Sequence, residues 1–206
     1  MIPEDIRDIP TGLPIDLLVE IRDLLGVTTF VETGVGLGRS STVASHIFDV
    51  CYTIEAHEGR YQEAREKFAG TNVHPVHGTS PEALEALVGL LEARTDKPIV
   101  FFLDAHCFYR PQIEDVDPCP LVDEIALLSC QHVVIVDDES AFTSVPHPRP
   151  LRRAYPELPE VVDALRFREE SICDPFIFIE GKVIMAVPRT IQEAVEDFLH
   201  ERRYAK

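Results

Sequence analysis

The chain has 206 residues and a formal net charge of −17, with 45% hydrophobic and 27% charged residues, which suits one globular domain with a substantial core. An acidic excess of that size repels nucleic-acid phosphates and anionic lipid heads, and the best basic cluster, Arg149, Arg152 and Arg153, is short. The expected partner is therefore a small molecule, with no nucleic acid and no membrane, since no apolar run reaches a membrane span and the opening residues do not read as a signal peptide.

Apolar periodicity divides the chain. Leu17, Leu18, Ile21, Leu24 and Leu25 make one helical face, which Gly26 stops. Thr28 to Glu32 reads as a strand, and a helix is expected from about Ser40 to Phe48. Cys51 to Glu55 reads as the next strand, followed by a helix over Glu58 to Phe68. Val73 to Val76 is a short strand. Ser80 and Pro81 then serve as N-cap and first residue of a helix striped by Leu84, Leu87, Val88 and Leu91. Ile99 to Leu103 and His132 to Val136 are apolar throughout, as strands covered on both faces are. A helix over about Pro120 to Leu128 lies between them. Such alternation implies an α/β fold, a doubly wound and mostly parallel sheet with helices on both faces. The ending differs: Phe176 to Ile179, Glu180-Gly181 and Lys182 to Val187 read as an antiparallel β-hairpin. A closing helix carries Ile191, Ala194, Val195, Phe198 and Leu199. Two long connections, 107–119 and 139–150, follow strand C-terminal ends, the edge where open α/β sheets bind ligands.

The segment Glu32-Thr33-Gly34-Val35-Gly36-Leu37-Gly38-Arg39-Ser40 joins the first strand to its helix. Glycines let this turn be tight and let a ligand approach the backbone. A dinucleotide fingerprint needs G-x-G-x-x-G, but Arg39 stands at the third position and the glycine comes one residue early at Gly38. Glu32 would also repel a pyrophosphate. Glu55, ending the next strand 21 residues after Gly34, can accept hydrogen bonds from both hydroxyls of a ribose. The pattern E-x-G-x-G-x-G resembles motif I of class I S-adenosylmethionine (SAM)-dependent methyltransferases. The resemblance implies a Rossmann-like seven-stranded sheet that binds SAM through Glu32, Thr33, Gly34, Gly36, Gly38, Ser40, Glu55 and Asp104. It also puts Gly78, Thr79 and Ser80 beside the adenine.

Asp104 ends one central strand and Asp137-Asp138 end the next. If those strands are neighbours, about 4.8 Å apart, the three carboxylates converge. Each would raise the others' pKa unless a hard cation neutralised them. Asp104-x-His106 followed by Asp137-Asp138 resembles the metal site of the catechol O-methyltransferase-like enzymes and of the macrolide-sugar and aminocoumarin-sugar O-methyltransferases. The resemblance spans about residues 28 to 140. It implies Asp104, Asp137 and Asp138 as ligands of a divalent metal, Mg²⁺ first, and His106 with Asp104 as the catalytic pair, His106 taking the proton.

The expectation is one domain over 1–206: an N-terminal helical segment to residue 27, a cofactor and metal core over 28–140, and the hairpin and closing helix over 141–206. The expected activity is metal-assisted O-methylation of a small-molecule hydroxyl on a sugar, catechol or polyketide-type vicinal diol. A metal-independent methyltransferase, an NAD(P)-binding oxidoreductase and a non-catalytic nucleotide-binding module stay open beside it, as does a homo-oligomer. The five cysteines, odd in number and without a C-x-x-C pair, are expected as reduced thiols of a cytoplasmic protein.

Overall fold

In chain order the elements of the computed structural model are α1 (Glu4–Arg7), α2 (Ile15–Leu25), β1 (Thr29–Thr33), α3 (Arg39–Ala44), β2 (Val50–Glu55), α4 (Glu58–Lys67) and β3 (Val73–His77). Then come α5 (Ser80–Glu92), β4 (Val100–Leu103), α6 (Leu121–Ala126), β5 (Val133–Val136), α7 (Ser140–Thr143) and α8 (Leu158–Arg166). The chain closes with β6 (Phe167–Arg168), β7 (Ser171–Ile172), β8 (Pro175–Glu180), β9 (Val183–Pro188), a short 3₁₀ turn and α9 (Gln192–Tyr204). The structure describes residues 2–106, 117–143, 155–168 and 171–204. The basic cluster Arg149, Arg152 and Arg153, Cys107 and most of the two long connections lie outside them.

Seven strands form one sheet in the order β3-β2-β1-β4-β5-β9-β8. The first five are mutually parallel, and β9 runs antiparallel to β5 and β8. The mostly parallel sheet with an antiparallel ending is what the alternation and the terminal hairpin predict, and its seven strands are what the resemblance implies. Because successive strand side chains face opposite ways, neighbours in sequence enter different cores. Phe102 and Ile135 pack with Leu17, Phe30, Met185 and Val195 under α2 and α9. Phe101 and Val134 pack with Leu84, Val161 and Leu165 under α5 and α8. The continuous apolar runs of β4 and β5 are thus explained by burial on both faces.

Register positions the edge that matters. Thr33 pairs with Ile54 of β2 and with Leu103 of β4, and Leu103 pairs with Val136 of β5. Glu55, Gly34, Asp104 and Asp137 therefore all emerge at the C-terminal edge of the sheet.

The opposite edge corrects the reading of the cysteines. Cys130 and Cys173 form a disulfide with Cα atoms 5.4 Å apart, while Cys51 and Cys119 are free and buried. The partners are 43 residues apart, so no local spacing announces them. The β6–β7 pair brings Cys173 back against the entry to β5. Arg168, fully buried, donates to the carbonyls of Cys130 and His132 at 3.2 and 3.1 Å. The cysteine argument for a cytoplasmic location falls with this pair. Among the described residues no helix is long and apolar enough to cross a membrane. The helix expected to reach Phe48 is shorter, ending at Ala44, and α8 and the β6–β7 pair were not anticipated.

Candidate cofactor and metal site

The glycine turn is held from both sides. Gly34 has φ +83°, and a Cβ there would lie 2.4 Å from the carbonyl oxygen of Asp104. Only glycine lets β1 leave the sheet this close to β4. Lys67 closes the turn from outside, donating to the carbonyls of Leu37 and Gly38 at 2.8 and 2.9 Å. At Gly36 (φ +51°) an added Cβ would meet nothing within 4 Å, so the inner face of the turn opens on free space.

Glu32 is fully buried, and its carboxylate accepts from the hydroxyls of Ser40, Ser41 and, at 2.7 Å, Thr53. Burial nevertheless pushes its pKa up to about 7. These bonds make Glu32 and Ser40 an internal brace between β1, β2 and α3. Glu32 does not line either cleft described below, whereas Ser40 reaches the second. Two adjacent serines eight and nine residues downstream were the available sequence signal for this brace.

A cleft of about 530 Å³ runs along the C-terminal edge, within the range of about 300–1,000 Å³ usual for small-molecule sites. Gly34, Gly36, Glu55, Gly78, Thr79, Ser80, Asp104 and His106 line it, joined by His57, Arg60, Asp117 and Asp123. Glu55 is buried and fixed by the backbone N–H of His57 at 2.8 Å. Thr33 and Gly38 are not among the lining residues. Thr33 instead accepts from the backbone N–H of Asp104 at 3.2 Å. Glu124, unanticipated, is buried on α6 and hydrogen-bonded by Ser80 and Thr33. Its signal was present as an acid within the apolar stripe Leu121, Ile125 and Leu128.

Where this cleft adjoins a second one, Asp104, His106 and Asp138 converge, each offering one ligand atom, all within 4.8 Å of one another. His106 Nε2 stands 3.6 Å from Asp138 Oδ2. The ring is wedged edge-on against Phe142 and Tyr155, with centroids at 5.7 and 6.1 Å. Asp138 has φ +52°, the one positive value at a non-glycine among the described residues, and such strain gathers at functional sites. Burial, then the neighbouring acids beginning with Asp137, pushes Asp104 well above the carboxylate range. Asp138 is held below it, chiefly by the facing His106. Asp137, raised by burial, is not part of the group. Its carboxylate lies against Gly12, where a Cβ would meet Oδ1 at 2.1 Å. The structure thus brings together Asp104, Asp138 and His106, and turns Asp137 toward the N-terminal segment. Two carboxylates and an imidazole at this spacing form a donor set suited to a divalent cation.

A second cleft of about 350 Å³ adjoins the first, sharing Gly36 and Asp104 with it.

No protein-family model and no curated protein matches the sequence. Solved structures do match. A provisionally assigned caffeoyl-CoA O-methyltransferase from Staphylococcus aureus is 18% identical over 89% of this chain and 88% of its own, with TM-score 0.56. The Podospora anserina methyltransferase PaMTH1, bound to S-adenosylhomocysteine (SAH), is 14% identical over 91% and 82%, with TM-score 0.56. An O-methyltransferase from Bacillus cereus in complex with SAH is 16% identical over 89% and 86%, with TM-score 0.54. At these identities the likeness is one of fold, and the fold of this chain is that of the class I methyltransferases.

Proposed function

We propose that the chain is a SAM-dependent methyltransferase acting on a hydroxyl of a small molecule, with a divalent cation assisting. The observation that carries this reading is the continuity of one cleft. It runs from the buried acid Glu55, past the open glycine turn, to Asp104 and His106. The shared fold supports it, because two of the similar structures hold SAH.

In this reading Glu55 accepts hydrogen bonds from the ribose hydroxyls, Thr79 and Ser80 border the adenine, and the space above Gly36 admits the amino-acid end of SAM. Asp104 and Asp138 hold the cation. When bound there, the cation lowers the pKa of a substrate hydroxyl and helps to orient it. His106, its ring fixed by Phe142 and Tyr155, takes the hydroxyl proton. The substrate oxygen bonds to the methyl carbon as the carbon–sulfur bond breaks, and SAH leaves as a neutral thioether. Positioning supplies most of the acceleration.

A second reading has a specific observation in its favour: His106 lies within ligand distance of both acids and could be a third cation donor. His106→Gln separates the two. A base is lost with Mn²⁺ binding intact, while a ligand is lost together with that binding.

The test of the reading is calorimetric titration with SAH, with and without Mg²⁺. Micromolar binding, weakened about tenfold or more by Glu55→Ala as for a lost hydrogen bond to a buried charged group, is expected. Binding of NAD(P) in place of SAH would overturn it.

A further inference from the structure

We propose that the acceptor is a small vicinal diol carrying a carboxylate or phosphate, held in the second cleft between Arg39 and Lys182. This rests on the reading of the first cleft as the SAM site.

The two clefts meet at Gly36 and Asp104, so an acceptor in the second would face a methyl group presented from the first. Its floor carries Asp104, Asp137 and Asp138, and Val35, Leu37 and Phe102 give it apolar walls. A volume near 350 Å³ is at the small end for ligand sites and suits one substituted ring better than a large polyketide.

Charge narrows the class. In a chain of net −17, two cations line this cleft. Arg39 opens α3 on one side, and Lys182 sits in the β8–β9 turn on the other. Among the described residues neither side chain has a hydrogen bond or an ion-pair partner. By contrast Arg7, Arg22, Arg189 and Arg202 are paired with acids, and Lys67 caps two carbonyls. The position of Lys182 is fixed by its backbone, whose carbonyl accepts from the N–H of Glu139 at 2.7 Å, one residue past the Asp137-Asp138 pair. Its ammonium makes no hydrogen bond or ion pair among the described residues, and its charge acts at longer range on Asp137 and Asp138 of the floor. Bare acids on the floor would repel an anion, and a cation held by Asp104 and Asp138 removes that repulsion. The diol then meets the cation while the anionic group reaches the rim.

The test uses the protein holding SAH and Mn²⁺, titrated with protocatechuate (catechol bearing one carboxylate) and with catechol itself. Protocatechuate is expected to bind about fivefold tighter or more, the size of one well-formed exposed ion pair. Lys182→Met and Arg39→Met should each remove most of that preference, leaving SAH affinity and melting temperature unchanged. Equal binding of the two diols, binding of neither, or variants that weaken SAH instead would overturn the proposal. The last result would mean that the cations serve the carboxylate of the cofactor. A protein that fails to bind SAH at all, measured beforehand, overturns the cofactor reading and this inference with it.

Discussion

The two edges of the sheet treat buried charge in opposite ways. Where the strands begin, buried polar groups find most of their partners within the chain. His132 is fully buried, its Nδ1 accepts from the N–H of Ile99 at 3.1 Å, and its Nε2 therefore donates to Glu92 at 2.7 Å. Arg168 donates to two carbonyls but has no acid partner among the described residues, its Nε stays without an acceptor there and burial lowers its pKa to about 10, and the Cys130–Cys173 disulfide ties the same region. Where the strands end, Glu32, Asp104, Glu124 and Asp137 are all pushed upward by burial. No Lys or Arg of the described residues forms an ion pair with any of them. Burying acids without cations costs stability. The first edge finds most of its partners within the chain, and on the proposed reading the second is completed by what binds to it.

Variants at the two edges should therefore separate stability from binding. The largest effect is expected from Cys130→Ser with Cys173→Ser. Opening a closed loop of 43 residues lowers stability by about 4 kcal/mol in the chain-entropy model. Thermal melting with and without reductant measures it, and SAH binding should persist. Arg168→Met, which leaves two buried carbonyls without their donor, should cost about 3 kcal/mol in urea unfolding, again without loss of binding.

Glu32→Gln tests the other edge, where the sign reverses. The Glu32 carboxyl is raised from 4.5 to about 7, so the folded protein holds this proton more tightly than the unfolded chain does. Stability from this group is therefore greatest below its unfolded pKa and is lost as pH rises through about 7. Relative to Glu32→Gln, the parent protein should lose about 3 kcal/mol between about pH 4 and about pH 8, read by urea unfolding at both. The smallest effect is at Asp138. Its left-handed backbone should make Asp138→Gly more stable by about 1 kcal/mol while weakening Mn²⁺ binding. A variant that lost stability instead would remove the case for strain at this position.

Most of the second edge was legible in the sequence because its signals are local. Apolar runs end where the strands end, so Glu55, Asp104 and Asp137 were assigned to the ligand edge from pattern alone. The glycine turn declares itself by composition. What was not legible depends on conformation or on distant contacts. The sequence Asp137-Asp138 does not say that one carboxylate turns toward His106 and the other toward Gly12, because that follows from φ at Asp138. Glu32 reads as a ligand-facing acid until Ser40, Ser41 and Thr53 fold around it. The first edge was the less legible of the two. The Cys130–Cys173 pairing and the burial of Arg168 both depend on β6 and β7, strands of two residues each, too short to leave a periodic signal.

The most direct test of the contrast is titration of Mn²⁺ into the SAH-saturated protein, followed by the loss of the free-ion paramagnetic resonance signal. One saturable site per chain is predicted, abolished by Asp104→Asn with Asp138→Asn and untouched by Arg168→Met. Absence of saturable binding, or equal binding by the double variant, would contradict the claim that the acids at the C-terminal edge are completed by a cation.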